Sequence, residues 1–291
     1  MAEILNEIDV DTKWAQPGVC AGLGIVKSFV CHWPEYSMEA VGLGLFMFSV
    51  CVYATLLQHP ASPVRHVLLH PLLRRSIMGL AVGTTLTSIV LTPWGKQSGG
   101  HFNPAITFTF YRLGKVVLWD ALFYIMSQFV GATIGVAVAA YALRGTLQNE
   151  AVRYAVTAPG SLGESGAFLA ELLISFSLMM AILQLLNRPS FARFTPFFVG
   201  AMYAFYISFE SPISGMSMNP ARTFGSAFHA RYWHALWIYI VAPVLGMLMG
   251  AELFVGLYGR DAIYCAKLHH ANDRRCIFRN CPRSRPAPET V

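Results

Sequence analysis

Two copies of one tripeptide hold the most specific chemistry in this chain. They are Asn103-Pro104-Ala105, within GGHFNPAITFTFYR, and Asn219-Pro220-Ala221, within GMSMNPARTFGSA. Asparagine is a favoured helix N-cap and proline a favoured first helical residue, so each copy reads as the start of a short helix. Free amides and the helix dipole place partial positive charge at such a start. An asparagine whose carboxamide oxygen is occupied by local backbone still has N–H groups to offer to a nearby oxygen. Two such ends meeting head to head would repel cations. A water held between them would have to donate its own hydrogens outward, which interrupts a proton-conducting chain. One copy alone would be an ordinary turn starter; two copies in matching positions are not.

Other residues able to do chemistry are fewer. Glu39 and Glu171 stand early in two apolar stretches, His101 two residues before the first asparagine, and Arg222 three residues after the second. Near the carboxyl end, YCAKLHHANDRRCIFRNC brings Cys265, His269, His270, Cys276 and Cys281 close together in sequence. Thiolates and imidazoles at such distances can bind zinc or another soft metal, but the spacing follows no strong ligand pattern. A disordered basic tail drawn to anionic lipid is the preferred reading, and no metal or other cofactor is expected. The six cysteines lack the spacing of a disulfide framework. No grouping of nucleophile, base and acid points to an enzyme.

The elements that must position these residues are apolar. Of 291 residues, 55% are hydrophobic and 12% charged, whereas soluble domains carry roughly 25% charged residues. The formal charge of +6 is concentrated toward the basic end of the chain, so no nucleic-acid partner is expected. Apolar blocks predict membrane spans at about 37–58, 76–92, 117–141, 166–187, 194–211 and 233–258, each near the ~20 residues a crossing helix needs. The third contains the small-residue run GATIGVAVAA, which allows close helix approach. Residues 1–36, interrupted by Pro17, Lys27 and Pro34, read as an amino-terminal interfacial arm, 37–258 as one membrane domain, and 259–291 as a basic tail. The acidic start of the chain argues against a cleaved leader. The mixed charges of residues 142–165 predict a solvated loop.

Both halves follow one order: a span with an early glutamate, a second span, a polar insert holding the tripeptide, and a third span. The asparagines are 219 − 103 = 116 residues apart. Three spans per half turn the second half upside down, the signature of an inverted repeat whose interrupted segments mark a binding or conduction site near the midplane. Lys96, Arg112, Lys115, Arg188, Arg193 and the basic tail favour cytoplasmic termini, while the loop with Arg65, Arg74 and Arg75 would face outward, against the positive-inside tendency.

On SGGHFNPAIT and SMNPAR, within residues 37–258, the chain resembles the aquaporin family of major intrinsic proteins. The resemblance implies an all-α membrane fold of six transmembrane helices plus two re-entrant half-helices. It also implies a homotetramer in a plasma or inner membrane, and passive flow of water or small neutral solutes without ions or protons. Glu39 and Glu171 match the family's buried glutamates, which hold the re-entrant backbone, and His101 is expected to be a structural neighbour of the insert. A proton-relay role for the glutamates is the alternative.

Arg222 matches the arginine of the family's selectivity filter, an always-charged group that bonds solute and repels cations. Val82 or Gly83, Ile207 and Met216 match its other positions. This ring lacks the aromatic and histidine of the water-selective pattern. It also lacks the aromatic pair of the glycerol pattern, and Thr223 stands where glycerol facilitators carry aspartate. Apolar side chains there suit water together with glycerol, hydrogen peroxide or dissolved gases, provided flexible Met216 does not close the ring. Glu210 either lines the outer vestibule or pairs with Arg231. The alternatives in function are a secondary active transporter, which would need ionisable groups at the midplane, or a channel with a metal- or redox-sensing tail.

Overall fold

The structure, a computed structural model, describes residues 24–279 and 281. The acidic amino-terminal stretch and the last residues of the basic tail lie outside the described residues. The helices that organise the chain are α1 (Ile25–Gln58), α2 (Pro71–Leu91), α3 (Pro104–Arg112), α4 (Leu118–Ala142), α5 (Gly163–Leu186), α6 (Thr195–Phe209), α7 (Pro220–Ala230) and α8 (Leu236–Tyr258). Four of them, α1, α4, α5 and α8, are long and apolar enough to cross a membrane. With α2 and α6 they make six spans, and α3 and α7 are the two half-helices.

Packing follows the inverted repeat. In each half the first span packs on the third, α1 on α4 and α5 on α8, while α2 packs on α6 across the repeat boundary. Each half-helix lies against the last span of the other half, α3 against α8 and α7 against α4, so neither half closes alone. Glycines make these crossings possible: a Cβ at Gly131 or Gly135 would collide with the α1 backbone at Ala40 or Gly44. Outward, α4 presents Met126, Val130, Ile134 and Val138, all more than half exposed, at a helical spacing that suits hydrocarbon.

Two expectations need correction. Residues 25–36 are no interfacial arm, because α1 runs through Pro34 without a break. His32 and Tyr36 of this extension are buried against α4, where Asp120 Oδ1 lies 2.9 Å from His32 Nδ1 and accepts from Tyr36 Oη at 2.7 Å. The 142–165 loop is no simple solvated connection, since Leu147, Val152 and Thr157 are buried. Thr157 reaches α7 through Thr223, with their hydroxyls 2.9 Å apart. Arg65, between α1 and α2, and Arg74 and Arg75, at the start of α2, are spent on backbone carbonyls: Arg65 on Gln58, Arg74 on Leu68 and Leu69, and Arg75 on Ser208 near the end of α6. Such carbonyls carry the negative end of the helix dipole.

The inserts re-enter the bundle on a pair of fully buried carboxylates. Glu39 accepts from Ser98 Oγ (2.8 Å), His101 N (3.1 Å), Phe102 N (2.7 Å) and Gln128 Nε2 (2.8 Å). Glu171 accepts from Ser214 Oγ, Ser217 N and Met218 N, each at 2.7 Å. Tyr124 and Tyr239 complete the support by donating to the Ser98 and Ser214 carbonyls. With their acceptors engaged this way, the carboxylates serve the backbone.

Removing Glu171 would strand two buried amides, each costing roughly 1–3 kcal/mol. The exposed Arg112–Glu252 pair (52% and 47% side-chain exposure) is of a class that contributes only ~0–1 kcal/mol. Thermal unfolding of the detergent-solubilised protein is expected to shift strongly downward for Glu171→Ala and little for Glu252→Ala. Equal shifts would contradict the anchoring role.

Candidate pore and its mouths

The two inserts repeat one another residue for residue at the offset of 116. Short helices Pro93–Ser98 and Ser211–Ser214 end on left-handed Gly99 (φ 102°) and Gly215 (φ 83°), where a side chain would be strained. The chain then runs to an asparagine cap. Asn103 Oδ1 accepts from Ala105 N at 2.9 Å, and Asn219 Oδ1 from Ala221 N at 3.1 Å and Arg222 N at 3.2 Å. Pro104 and Pro220 occupy the first helical turn.

The asparagines also bond across the repeat. Asn103 Nδ2 donates to Met218 O at 2.7 Å and Asn219 Nδ2 to Phe102 O at 2.8 Å. Each amide nitrogen has two hydrogens, so this reciprocal pair uses one and leaves the second for another acceptor. The two half-helix starts are thereby locked together, and Asn219 faces an internal cavity with about 10 Å³ of room for water, close to a single molecule.

That cavity is lined by Leu43 and Phe46 of α1, Leu86 and Val90 of α2, and Val199 and Tyr203 of α6, among others. Tyr203 and Phe46 meet edge to face at 6.3 Å. Sequence reasoning missed this apolar lining. Its one available signal was helical spacing, since Leu43 lies four residues after Glu39 and Tyr203 four before Ile207.

The same spacing separates the two candidates on α2. Val82 lies on the face of Leu86 and Val90, one and two turns away. Gly83 instead abuts Gly200 of α6, where a Cβ would strike the Gly200 carbonyl.

Met216 is buried and left-handed (φ 53°), and its counterpart in the first insert is Gly100 (φ 71°). A side chain at such a φ costs about 1 kcal/mol or more, which at this position the second insert bears and the first avoids, whereas Phe102 (φ 44°) and Met218 (φ 53°) bear it in both. Arg222 stands where the first insert has Ile106, and its Nη1 is buried without a protein partner among the described residues. Glu210 forms no ion pair with Arg231; the four ion pairs among the described residues lie elsewhere.

At the opposite mouth, the expectation of a disordered tail fails for residues 260–279, which fold back over the first insert, while the remaining tail beyond 281 lies outside the described residues. Leu268 N donates to Gly99 O at 2.9 Å and Arg279 N to Lys115 O at 2.8 Å. Arg275 grips fully buried Glu35 with two nitrogens, Nε to Oε1 at 2.7 Å and Nη2 to Oε2 at 2.5 Å. His101 is part of this contact. Its ring lies between Phe110 and Phe278, both stacked at 5.3 Å, and Nε2 donates to Ala266 O at 2.9 Å while Nδ1 faces Thr107 Oγ1 at 3.0 Å. Leu268 is itself a wall of the internal cavity. Of the tail's soft ligands, Cys265, His270 and Cys281 come together and His269 does not.

Known proteins resemble this chain. The family model described as "Major intrinsic protein" matches residues 27–254. Nodulin-26 of Glycine max is 31% identical over 179 residues, covering 60% of this chain and 64% of that protein. The glycerol uptake facilitator protein-like 6 of Lactiplantibacillus plantarum is 34% identical over 182 residues, covering 60% of this chain and 81% of that protein. Among solved structures, the aquaglyceroporin from Plasmodium falciparum shares the fold with a TM-score of 0.63 at 20% identity, covering 77% of this chain and 95% of that one. The chain belongs to the major intrinsic protein family.

Proposed function

We propose that the chain is a passive channel for water and small uncharged solutes such as glycerol, hydrogen peroxide and dissolved gases, and that it excludes ions and protons. The observation that carries this reading is the reciprocal bonding of Asn103 and Asn219, which sets two positive helix ends against one another beside a narrow cavity. Cations meet repulsion there. A solute oxygen in the cavity meets Asn219, with His101 and Tyr203 among otherwise apolar walls. A coupled carrier would need a titrating group at this level; Glu39 and Glu171 are already held by the insert backbone, and His101, which also lines the cavity, has both ring nitrogens engaged by Thr107 and Ala266.

Selection among neutral solutes falls to Val82, Ile207, Met216 and Arg222. Val82 shares the face of the cavity-lining residues, and Ile207 lies one turn from Tyr203. Met216 tolerates a strained backbone to place a side chain where the repeat has glycine. Arg222 brings a guanidinium with an unpartnered buried nitrogen. A relative named as a glycerol uptake facilitator-like protein supports the solute class. We further propose a homotetramer in the cell membrane with cytoplasmic termini. Arg65, Arg74 and Arg75, spent on carbonyls, offer little opposition to that orientation.

Stopped-flow light scattering on proteoliposomes tests the reading: faster shrinkage than empty vesicles under a salt gradient is expected, and equal rates under both salt and glycerol gradients would sink it. Met216→Gly should relieve the left-handed strain and widen the ring. Glycerol flux is then expected to rise several-fold, roughly the effect of ~1 kcal/mol on a barrier, while the melting temperature does not fall. A drop in glycerol flux would show that Met216 is not a restriction.

A further inference from the structure

The tail brings three soft ligands together where it crosses one mouth of the pore, with a fourth thiol beside them. Cys265, His270 and Cys281 each present a ligand atom, all within 4.8 Å of one another. Cys276 adds a fourth, its Sγ 3.5 Å from that of Cys265, and Cys281 Sγ lies 3.7 Å from His270 Nε2. A tetrahedral zinc ion with sulfur bonds of about 2.3 Å sets ligand–ligand edges of about 3.5–3.8 Å. The Cys265–Cys276 and Cys281–His270 separations match edges of such a tetrahedron, and Cys276, which stands outside the group of three within 4.8 Å, would be drawn in by the ion to complete the set. We propose that Cys265, His270, Cys276 and Cys281 form a site for one zinc-like soft divalent cation, and that its occupation clamps residues 264–281 across the inner mouth of the pore.

The surroundings suit the ion. Three thiolates and a neutral imidazole around a divalent cation carry one net negative charge. Lys115 and Lys267 lie close enough for their charges to act on Cys265 and Cys281. Lys267 is fixed by donating to Arg274 O (2.9 Å) and Arg275 O (2.6 Å), which ties the cluster to the Arg275–Glu35 pair on α1.

The consequence for the pore follows from chain order. Between the ligands Cys265 and His270 lie Ala266, bonded to His101, and Leu268, a wall of the internal cavity. A metal that fixes both ends of this short stretch holds Leu268 in the mouth, and its loss frees the stretch to lift. This regulatory part rests on the channel reading; the metal site does not.

The test uses the full-length protein, reduced and stripped with a chelator, then titrated with Co²⁺. About one cobalt per chain is expected, with the intense visible bands of tetrahedral thiolate ligation, bleached by Zn²⁺. Cys265→Ser and Cys281→Ser should remove the bands, and Cys51→Ser, in α1, should keep them. Because a serine variant could simply misfold, a second measurement uses unaltered protein: Zn²⁺ should protect Cys265, Cys276 and Cys281 from maleimide labelling. Weak octahedral bands, or thiols labelled equally with and without Zn²⁺, would overturn the site. In proteoliposomes, zinc-loaded protein should conduct roughly tenfold more slowly than stripped protein, a coupling of ordinary size, and Leu268→Ala should recover most of the loss. Equal fluxes overturn the clamp. Absence of flux in both states instead fails the channel reading, while the cobalt spectrum decides the site independently.

Discussion

Backbone amides at the middle of a membrane have no water to fall back on, and this fold depends on how they are satisfied. The carboxylates of Glu39 and Glu171 each take two of them, and Asn103 and Asn219 cap the half-helices that follow and bond the opposite insert. Because each insert supplies a carbonyl to the other, neither half can form its part of the pore alone. The close glycine crossings and the packing of each half-helix on the opposite repeat follow from bringing those ends together.

The repeat is most informative where it breaks. Gly100 is matched by Met216, Ile106 by Arg222 and His101 by Ser217. One end of the pore gains a cation and a flexible apolar side chain. The other gains an imidazole that holds the tail. Symmetric scaffolding thus carries two unlike mouths: one bearing Arg222 and Met216, the other covered by the chain's own carboxyl-terminal segment.

Much of this was legible in sequence. The tripeptides and their offset identify the inserts, because cap and proline chemistry is local. The apolar blocks place the six spans to within a few residues, with the start of α1 the exception. There Pro34 and Lys27 looked like interruptions, and only the tertiary contact of His32 and Tyr36 with Asp120 explains why helix persists. The tail was illegible for a similar reason. Its order comes from Arg275 reaching Glu35, 240 residues earlier in the chain, and from Phe278 stacking on His101, and no local propensity encodes either contact. Tyr203 and Leu43 were hidden as ordinary apolar residues on helices, their role set by which face the crossings turn inward.

The central claim is that facing helix ends and the asparagine pair pass neutral molecules while breaking proton chains. Proton leak, read with a trapped pH dye in proteoliposomes already shown to pass water, tests it most directly. The account predicts that an imposed pH gradient decays no faster than in empty vesicles. A decay accelerated in proportion to the amount of protein would contradict it.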